Sequence, residues 1–235
     1  MILNQLIDKE GNHNKLKIKV TKNGPYVVSG GVPLTRQIIV LDADGQCLRW
    51  REIQKYPVQQ TYSLCRCGKS RNLPFCDGTH SDINFDGTET ADYQSYLDQC
   101  RRFTGPTLDL TDVKALCAHA GFCDRAGGTW DLVSHSDEPP ARKIAIEEAC
   151  NCPSGRLVVW DKEGKAIDPV LEPSCSITES PNGKFNGPIW VQGSIPIESA
   201  QGRVYETRNR VTLCGCGKSA NKPFCDGSHR ARKSG

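Results

Sequence analysis

Cysteine and histidine recur with the same spacing in two short segments of this chain. Residues 63–80 read SLCRCGKSRNLPFCDGTH, and residues 212–229 read TLCGCGKSANKPFCDGSH. Side chains at i and i+2 share a face of an extended chain, and those at i and i+4 share a face of a helical turn. Each segment therefore offers two pairs of metal ligands: Cys65 with Cys67, Cys76 with His80, Cys214 with Cys216, and Cys225 with His229.

The residues between the ligand pairs favour a tight loop. Gly68 permits a left-handed backbone, and Pro74 fixes φ at the entry to a turn. Asp77 is suited to the N-terminal end of a short helix that begins beside the ligands. Such a helix would direct backbone N–H groups and the positive end of its dipole towards an anionic thiolate site.

The cysteine content favours metal binding over disulfide bonds. The 13 cysteines are an odd number, and residues 1–12 do not read as a secretion signal. Clustered cysteines in a reducing compartment indicate metal ligands. Three Cys and one His suit zinc as well as an iron–sulfur cluster, so the spacing leaves both open. The C-x-C pair favours a cluster, because zinc sites more often use a longer Cys spacing.

Both segments resemble the CDGSH iron–sulfur domain, the mitoNEET-like family, whose pattern C-x-C-x2-S/T-x3-P-x-C-D-G-S/A/T-H they match at every fixed position. The resemblance implies one 2Fe–2S cluster per segment, held by three Cys and one His. It also implies two units that pair beneath a β-rich cap, here within one chain. The implied cluster ligands are Cys65, Cys67, Cys76, His80, Cys214, Cys216, Cys225 and His229.

The repeat extends beyond the cysteine segments. Residues 23–34 read NGPYVVSGGVPL and align with residues 186–197, NGPIWVQGSIPI. Alternation in KLKIKV predicts a strand with Leu16, Ile18 and Val20 on one face. We therefore expect a β-rich α+β fold in which two such units, each with cap strands and a loop-helix ligand motif, pair about an intramolecular pseudo-twofold axis. The predicted units are residues 1–106, with the motif at 65–80, and residues 161–235, with the motif at 214–229.

Residues 107–160 form a predicted insert with a different texture, a small ferredoxin-like α/β region. Cys117, Cys123 and the CPSG segment at Cys152 resemble the divergent 4Fe–4S mono-cluster domain, with Arg156 where that family has Ala. Ferredoxin-type clusters require four thiolates, and the fourth ligand stays open among Cys150, Cys175 and His119. We expect the insert to keep its fold without metal, with a third cluster as the alternative. DEPPARKIAIEEAC predicts a helix that begins at Pro139 and Pro140.

Isolated cysteine and histidine residues have ordinary interpretations. Cys47 and Cys100 are predicted to be small, buried or half-buried side chains. His13 and His135 lie in polar contexts and are predicted to be on the surface.

Composition and motifs limit the function. The net charge of +3 does not indicate nucleic-acid binding, and no apolar run is long enough to span a bilayer. No nucleophile elbow, P-loop or dinucleotide-binding motif is present, which argues against an enzyme. We expect a cytoplasmic monomer, an internal pseudo-dimer, that transfers electrons or clusters to a redox or cluster-acceptor protein, or senses redox state. The alternative is a structural zinc module for partner binding.

Overall fold

The structure is a computed structural model that describes residues 15–181 and 186–230, so the predicted surface position of His13 lies outside the described residues. It is rich in strands and has only short helices apart from one. The strands are β1 (Lys17–Val20), β2 (Tyr26–Ser29), β3 (Leu34–Leu41), β4 (Cys47–Lys55), β5 (Thr61–Leu64), β6 (Arg101–Thr104), β7 (Asp109–Asp112), β8 (Leu157–Trp160), β9 (Ala166–Ile167), β10 (Ser174–Glu179), β11 (Asn186–Gln192), β12 (Ile197–Glu198) and β13 (Arg210–Leu213). The α-helices are α1 (Thr79–Asp82), α2 (Tyr96–Gln99), α3 (Thr129–Ser134) and α4 (Pro139–Asn151). The predicted β-rich α+β class is confirmed.

The two repeats exchange strands. One sheet has the order β12-β1-β2-β5, and a second has the order β13-β11-β10-β3-β4. β12 from the second repeat joins β1 in parallel, and β3 from the first repeat joins β10 in parallel. Neither repeat therefore forms its sheet without a strand from the other.

Alternating apolar residues bury one face of each of the two sheets that contain an exchanged strand. In β1 the predicted alternation is confirmed, since Ile18 and Val20 are fully buried and Lys19 is exposed. Burial of such side chains contributes about 1.5–3 kcal/mol each. The joint core draws on both repeats and includes Tyr26, Val28, Leu64, Ile189, Val191, Ile197, Val211 and Leu213.

The insert has its own sheet and core. Its strands are ordered β6-β7-β8-β9, and α3 and α4 lie beside them. α4 begins at Pro139, as the sequence predicts. Two strands of this sheet, β6 and β9, lie outside the 107–160 range. The core contains Leu108, Leu110, Leu132, Val133, Ala145, Ala149, Leu157 and Val159.

Polar contacts attach the insert to both repeats. Arg210 of β13 is 2% exposed and donates to the backbone oxygens of Cys152 and Ala149, at 2.8 and 2.9 Å. Its charge is balanced by Asp168. From β4 of the first repeat, the Trp50 indole donates to Asn151 O at 3.0 Å. The insert is therefore anchored beside the second ligand segment.

No helix in the described part of the chain is long and apolar enough to cross a membrane.

Candidate metal centres

Each repeated segment brings its ligands together as two pairs. The Sγ atoms of Cys65 and Cys67 are 3.7 Å apart, and Cys76 Sγ is 3.3 Å from His80 Nδ1. In the second segment the corresponding separations are 3.7 Å for the two thiols and 3.4 Å for Cys225 Sγ and His229 Nδ1. A tetrahedral metal with metal–sulfur bonds of about 2.3 Å sets its ligand atoms about 3.5–3.8 Å apart. Each thiol pair therefore fits two corners of a tetrahedron around one metal atom, and the thiol–imidazole pairs are slightly closer than this spacing.

The pairs do not merge into sets that would hold a single ion. Within residues 15–181 and 186–230, no three or more Cys, His, Asp or Glu side chains are grouped for one metal ion. Two separate pairs in each segment match a centre with two metal atoms, each gripped on one side by protein. The residues of each segment would hold such a centre through one pair per metal atom.

A folded-back loop places the two pairs side by side. Cys65 N donates to Pro74 O at 2.8 Å, and Cys76 N donates to Ser63 O at 2.9 Å. An antiparallel bridge joins Leu64 to Phe75 between these bonds. The second segment repeats all three contacts, with Cys214 N to Pro223 O at 2.8 Å, Cys225 N to Thr212 O at 2.9 Å and a bridge from Leu213 to Phe224. The Leu73–Pro74 and Lys222–Pro223 peptides are both cis.

Asp77 and Asp226 close the loops by the same two hydrogen bonds. The Asp77 carboxylate accepts from Arg71 N at 2.9 Å and from Thr79 N at 3.0 Å. The Thr79 side chain, together with these two bonds, holds the pKa of Asp77 well below its usual range. Asp226 accepts in the same way from Ala220 N at 2.8 Å and Ser228 N at 2.9 Å.

The approach of Cys76 to His80 has a different cause from the one the spacing suggested. The predicted helical turn begins only at Thr79, so Cys76 lies before α1, and Gly78 occupies the N-cap in the left-handed region, at φ 91°. The Asp77 carboxylate and Gly78 turn the chain by themselves. In the second segment a 3-10 turn at Ser228–Arg230 replaces the α-helix. The expectation of a helix directed at the site holds only for these single turns, which are too short for an appreciable dipole.

The two ligand loops touch each other through glycines. A Cβ at Gly68 would lie 2.8 Å from Cys216 Cα, and a Cβ at Gly217 would lie 2.9 Å from Cys67 O. Both glycines have positive φ, at 71° and 75°. Only glycine fits either position, and the two centres are therefore neighbours.

A tyrosine from the first repeat supports the second loop. The Tyr26 hydroxyl lies 2.9 Å from Cys214 O and 3.0 Å from Pro223 O, and the residue is fully buried. Its position in the second repeat is occupied by Ile189, which has no polar group. The buried Arg66 stacks within 5.5 Å of the Tyr26 ring and donates to Gly87 O. Its equivalent is Gly215, so the two loops differ at both positions.

The sequence reasoning missed Tyr26 and Arg66. The alignment of the two repeats contained the signal, because Tyr26 aligns with Ile189 and Arg66 aligns with Gly215. His119 was considered only as a metal ligand, and its contact with the second loop had no sequence signal.

The insert covers the Gly227 turn of the second loop and leaves the Gly78 turn of the first loop exposed. A Cβ at Gly227 would lie 2.0 Å from the His119 ring, whereas a Cβ at the equivalent Gly78 would meet nothing within 4 Å. Cys225 is buried and Cys76 is half-buried. Burial, followed by the charges of Arg230 and His119, lowers the pKa of His229 to about 4. His229 is therefore neutral near pH 7, which is the form that binds metal.

The thiols of the second segment are unequally poised. The contact from Cys216, followed by backbone amides, lowers the pKa of Cys214 to about 6 despite its burial. Burial raises the pKa of Cys225 to about 12.

A cavity of about 250 Å³ in the insert is lined by Cys117, Cys123 and Cys152, the three cysteines that match the 4Fe–4S resemblance. Of the three candidates for a fourth ligand, only His119 lines this cavity. Cys150 directs its thiol to Ile167 O, and Cys175 lies in the core between the two exchanged sheets.

Arg156, which stands where the family pattern has Ala, makes two contacts at this cavity. It forms an ion pair with Asp112 at 2.6 Å and donates to Cys117 Sγ at 3.0 Å. This places a cation at the wall of the cavity, in contact with one of its three cysteines.

The isolated residues agree with their interpretation. Cys47 and Cys100 are half-buried, and His135 is exposed.

Comparisons with known protein families agree with these features. Residues 23–81 and 186–230 match the family described as iron-binding zinc finger CDGSH type. Residues 103–162 match the family described as divergent 4Fe-4S mono-cluster. No curated protein and no solved structure matches the chain.

Proposed function

From the premise that this chain is a tandem CDGSH protein with a divergent 4Fe-4S mono-cluster segment between its repeats, we propose that it binds two 2Fe–2S clusters and carries electrons to a protein partner in the cytoplasm. Cys65, Cys67, Cys76 and His80 hold one cluster, and Cys214, Cys216, Cys225 and His229 hold the other. The role is that of a carrier and not of an enzyme.

One observation carries the proposal. In both segments the ligands stand as a thiol–thiol pair 3.7 Å apart and a thiol–imidazole pair 3.3–3.4 Å apart. One zinc ion would gather all four ligands of a segment around itself. Two pairs suit two irons joined by sulfide, and the duplicated loop contacts show that the arrangement does not depend on one copy's surroundings.

The chain's own residues give the centres their character. When bound, such a cluster supplies one-electron redox chemistry, and the imidazole in place of a thiolate favours reduction. Asp77 and Asp226 fix the turns that present the histidines. His80 is half-buried and the Cys65–Cys67 pair is buried, so the imidazole side of the first centre is nearer to solvent.

The two repeats act as a duplicated dimer within one chain. The strand order β12-β1-β2-β5 corresponds element by element to β3-β10-β11-β13 in the second sheet, and β4 at the edge of that sheet lies outside the correspondence. An internal twofold arrangement accounts for this exchange and for the reciprocal contacts of Gly68 and Gly217.

Iron and acid-labile sulfide counted per purified chain test the proposal. Two 2Fe–2S centres require about four irons and four sulfides, with visible absorbance that dithionite bleaches. Cys76→Ser and Cys225→Ser are each expected to remove about half of the iron, and the matched control Cys100→Ser to remove none. Two zinc ions and no sulfide in a colourless protein would replace the proposal with the structural zinc module.

Electron transfer and cluster transfer are separated by a second measurement. The reduced protein is mixed with an oxidised ferredoxin-type acceptor, and with an apo acceptor in a parallel sample. Under this proposal the redox acceptor is reduced while iron stays with the chain. Iron that moves to the apo acceptor would instead establish cluster delivery as the function.

A third centre in the insert is the second candidate. The cavity of about 250 Å³ is lined by Cys117, Cys123, Cys152 and His119, and Arg156 lies beside them. A 4Fe–4S cluster there would raise the iron count from about four to about eight. The triple variant with serine at 117, 123 and 152 should then lose about half of the iron. An unchanged count would show that the insert keeps its fold without metal.

A further inference from the structure

An open apolar pocket lies beside the first ligand loop. Its volume is about 100 Å³, and it adjoins Cys65, a ligand of the first centre. The lining residues include Arg36, Cys65, Pro74, Gly187, Ile189 and Gly215. Most of this wall is apolar, which is typical of small-molecule sites with few polar groups.

The pocket occupies the place that two side chains fill in the other half of the molecule. Gly187, Ile189 and Gly215 stand at the positions of Gly24, Tyr26 and Arg66 in the repeat alignment. Cys65 and Pro74 likewise correspond to Cys214 and Pro223. In the other half, the Tyr26 ring fills this space, with the Arg66 guanidinium 5.5 Å from the ring centre. The second repeat has no comparable bulk at Ile189 and Gly215, and the space is open.

The local geometry agrees with this correspondence. A Cβ at Gly215 would be 3.8 Å from Ile189 Cγ1 and 3.9 Å from Gly187 O, so a side chain there would extend along the pocket wall. Gly215 is not among the glycines with positive φ. The pocket is therefore open because Ile189 and Gly215 are smaller than Tyr26 and Arg66, their counterparts in the other half.

The chemistry of the missing side chain identifies the occupant. The Tyr26 hydroxyl lies within hydrogen-bond distance of Cys214 O and Pro223 O. Pro74 O is held in the same relation to Cys65 N as Pro223 O is to Cys214 N, at 2.8 Å in both. We propose that this pocket binds a small phenol, whose ring replaces the missing tyrosine ring and whose hydroxyl donates to the carbonyl oxygens of Cys65 and Pro74.

The size is suitable for one ring. An apolar cavity of about 150 Å³ takes up benzene in an engineered protein, and this pocket is of the same order. Arg36 at the wall is already paired with Glu179 and Gln54, which leaves the ring and one donor as the features to be recognised. The site is independent of whether the centres carry iron or zinc.

The experiment uses the full chain and 4-fluorophenol, observed by fluorine NMR line broadening, with unlabelled phenol as competitor. Saturable binding that phenol displaces is the expected result. Fluorobenzene should bind about fivefold more weakly, because one hydrogen bond is lost. No saturable binding of 4-fluorophenol, or equal binding of fluorobenzene, would overturn the proposal.

Variants that fill or spare the pocket locate the site. Ile189→Tyr and Gly215→Arg restore the residues of the other half and should each reduce 4-fluorophenol binding at least tenfold. Ile189→Val leaves the space open and serves as the matched control with retained binding. If either filled variant unfolds at the same temperature as the parent protein, its loss of binding is due to the filled pocket and not to misfolding. Binding that persists in both filled variants would place the phenol elsewhere and overturn the proposal.

Discussion

Tyr26 links the first repeat to the ligand loop of the second. Its hydroxyl meets two backbone oxygens of that loop, 188 and 197 positions away in sequence. Tyr26→Phe keeps the ring and leaves these buried oxygens without that donor. We expect a loss of about 1–2 kcal/mol in the free energy of unfolding, measured by urea denaturation. Tyr56→Phe, whose ring packs on Phe75, is the control and should change stability by less than about 0.5 kcal/mol.

Glu148 is a buried carboxyl group in the insert. It is 1% exposed and accepts from Thr129 Oγ1 at 2.6 Å, and its other oxygen has no hydrogen-bond partner among the described residues. Burial raises its pKa to about 7 from an ordinary value of 4.5. Between pH 4.5 and 7 the folded state therefore holds a proton that the unfolded state releases. The contribution of Glu148 to the free energy of unfolding is fully present below pH 4.5 and is lost as the pH rises to 7.

Glu148→Gln removes this pH dependence because the amide does not ionise. The variant should be more stable than the parent by about 3 kcal/mol at pH 8 and by about 2 kcal/mol at pH 6. Urea denaturation of both proteins across this range measures the difference. Glu147→Gln, at the half-exposed neighbour, is the matched control. A Glu148→Gln advantage that did not change with pH would contradict the assigned ionisation.

At the scale of elements, the second ligand loop is held against the insert by Gly227. Gly78 and Gly227 have similar positive φ, at 91° and 86°, so Ala introduces comparable backbone strain at either site. Only at Gly227 does the new Cβ collide with the His119 ring. Gly227→Ala should therefore lower the free energy of unfolding by about 1–3 kcal/mol more than Gly78→Ala.

A double-mutant cycle identifies the cause. With His119→Ala in the background, the collision is removed, and Gly227→Ala should cost no more than Gly78→Ala. Thermal and urea unfolding of the four combinations give the coupling energy. An additive cycle would show that His119 does not determine the cost.

The ligand pairs and the strands that carry them were predictable from local patterns. The i, i+2 and i, i+4 spacings indicated the four pairs, the alternation in residues 15–20 gave β1, and the two prolines gave the start of α4. The approach of Cys76 to His80 was predicted for the wrong reason, because a carboxylate-closed turn and not a helical face brings them together.

The long-range contacts could not be read from local sequence patterns. The exchange of β3 and β12, the reach of Tyr26 to Cys214 and the packing of His119 on Gly227 join residues about 100 or more positions apart. No local periodicity encodes such pairs. The pocket beside Cys65 belongs to this class, since it exists only once Ile189 and Gly215 are placed in space.

At the scale of the whole molecule, the insert makes two similar centres unequal. It covers the Gly227 turn of the second centre and anchors through Arg210 beside it, while the Gly78 turn of the first centre has nothing within 4 Å of an added Cβ. A protein partner or a chelator therefore has freer access to His80 than to His229.

Single-centre variants measure this difference. Cys225→Ser leaves the first centre alone, and Cys76→Ser leaves the second. The loss of visible absorbance in excess chelator should be severalfold faster for the first centre, because its imidazole side is uncovered. His119→Ala in the Cys76→Ser background should raise the rate of the second centre towards that of the first, since it removes the ring that lies on Gly227. Equal rates for the two centres, or no effect of His119→Ala, would mean that the insert does not shield the second centre.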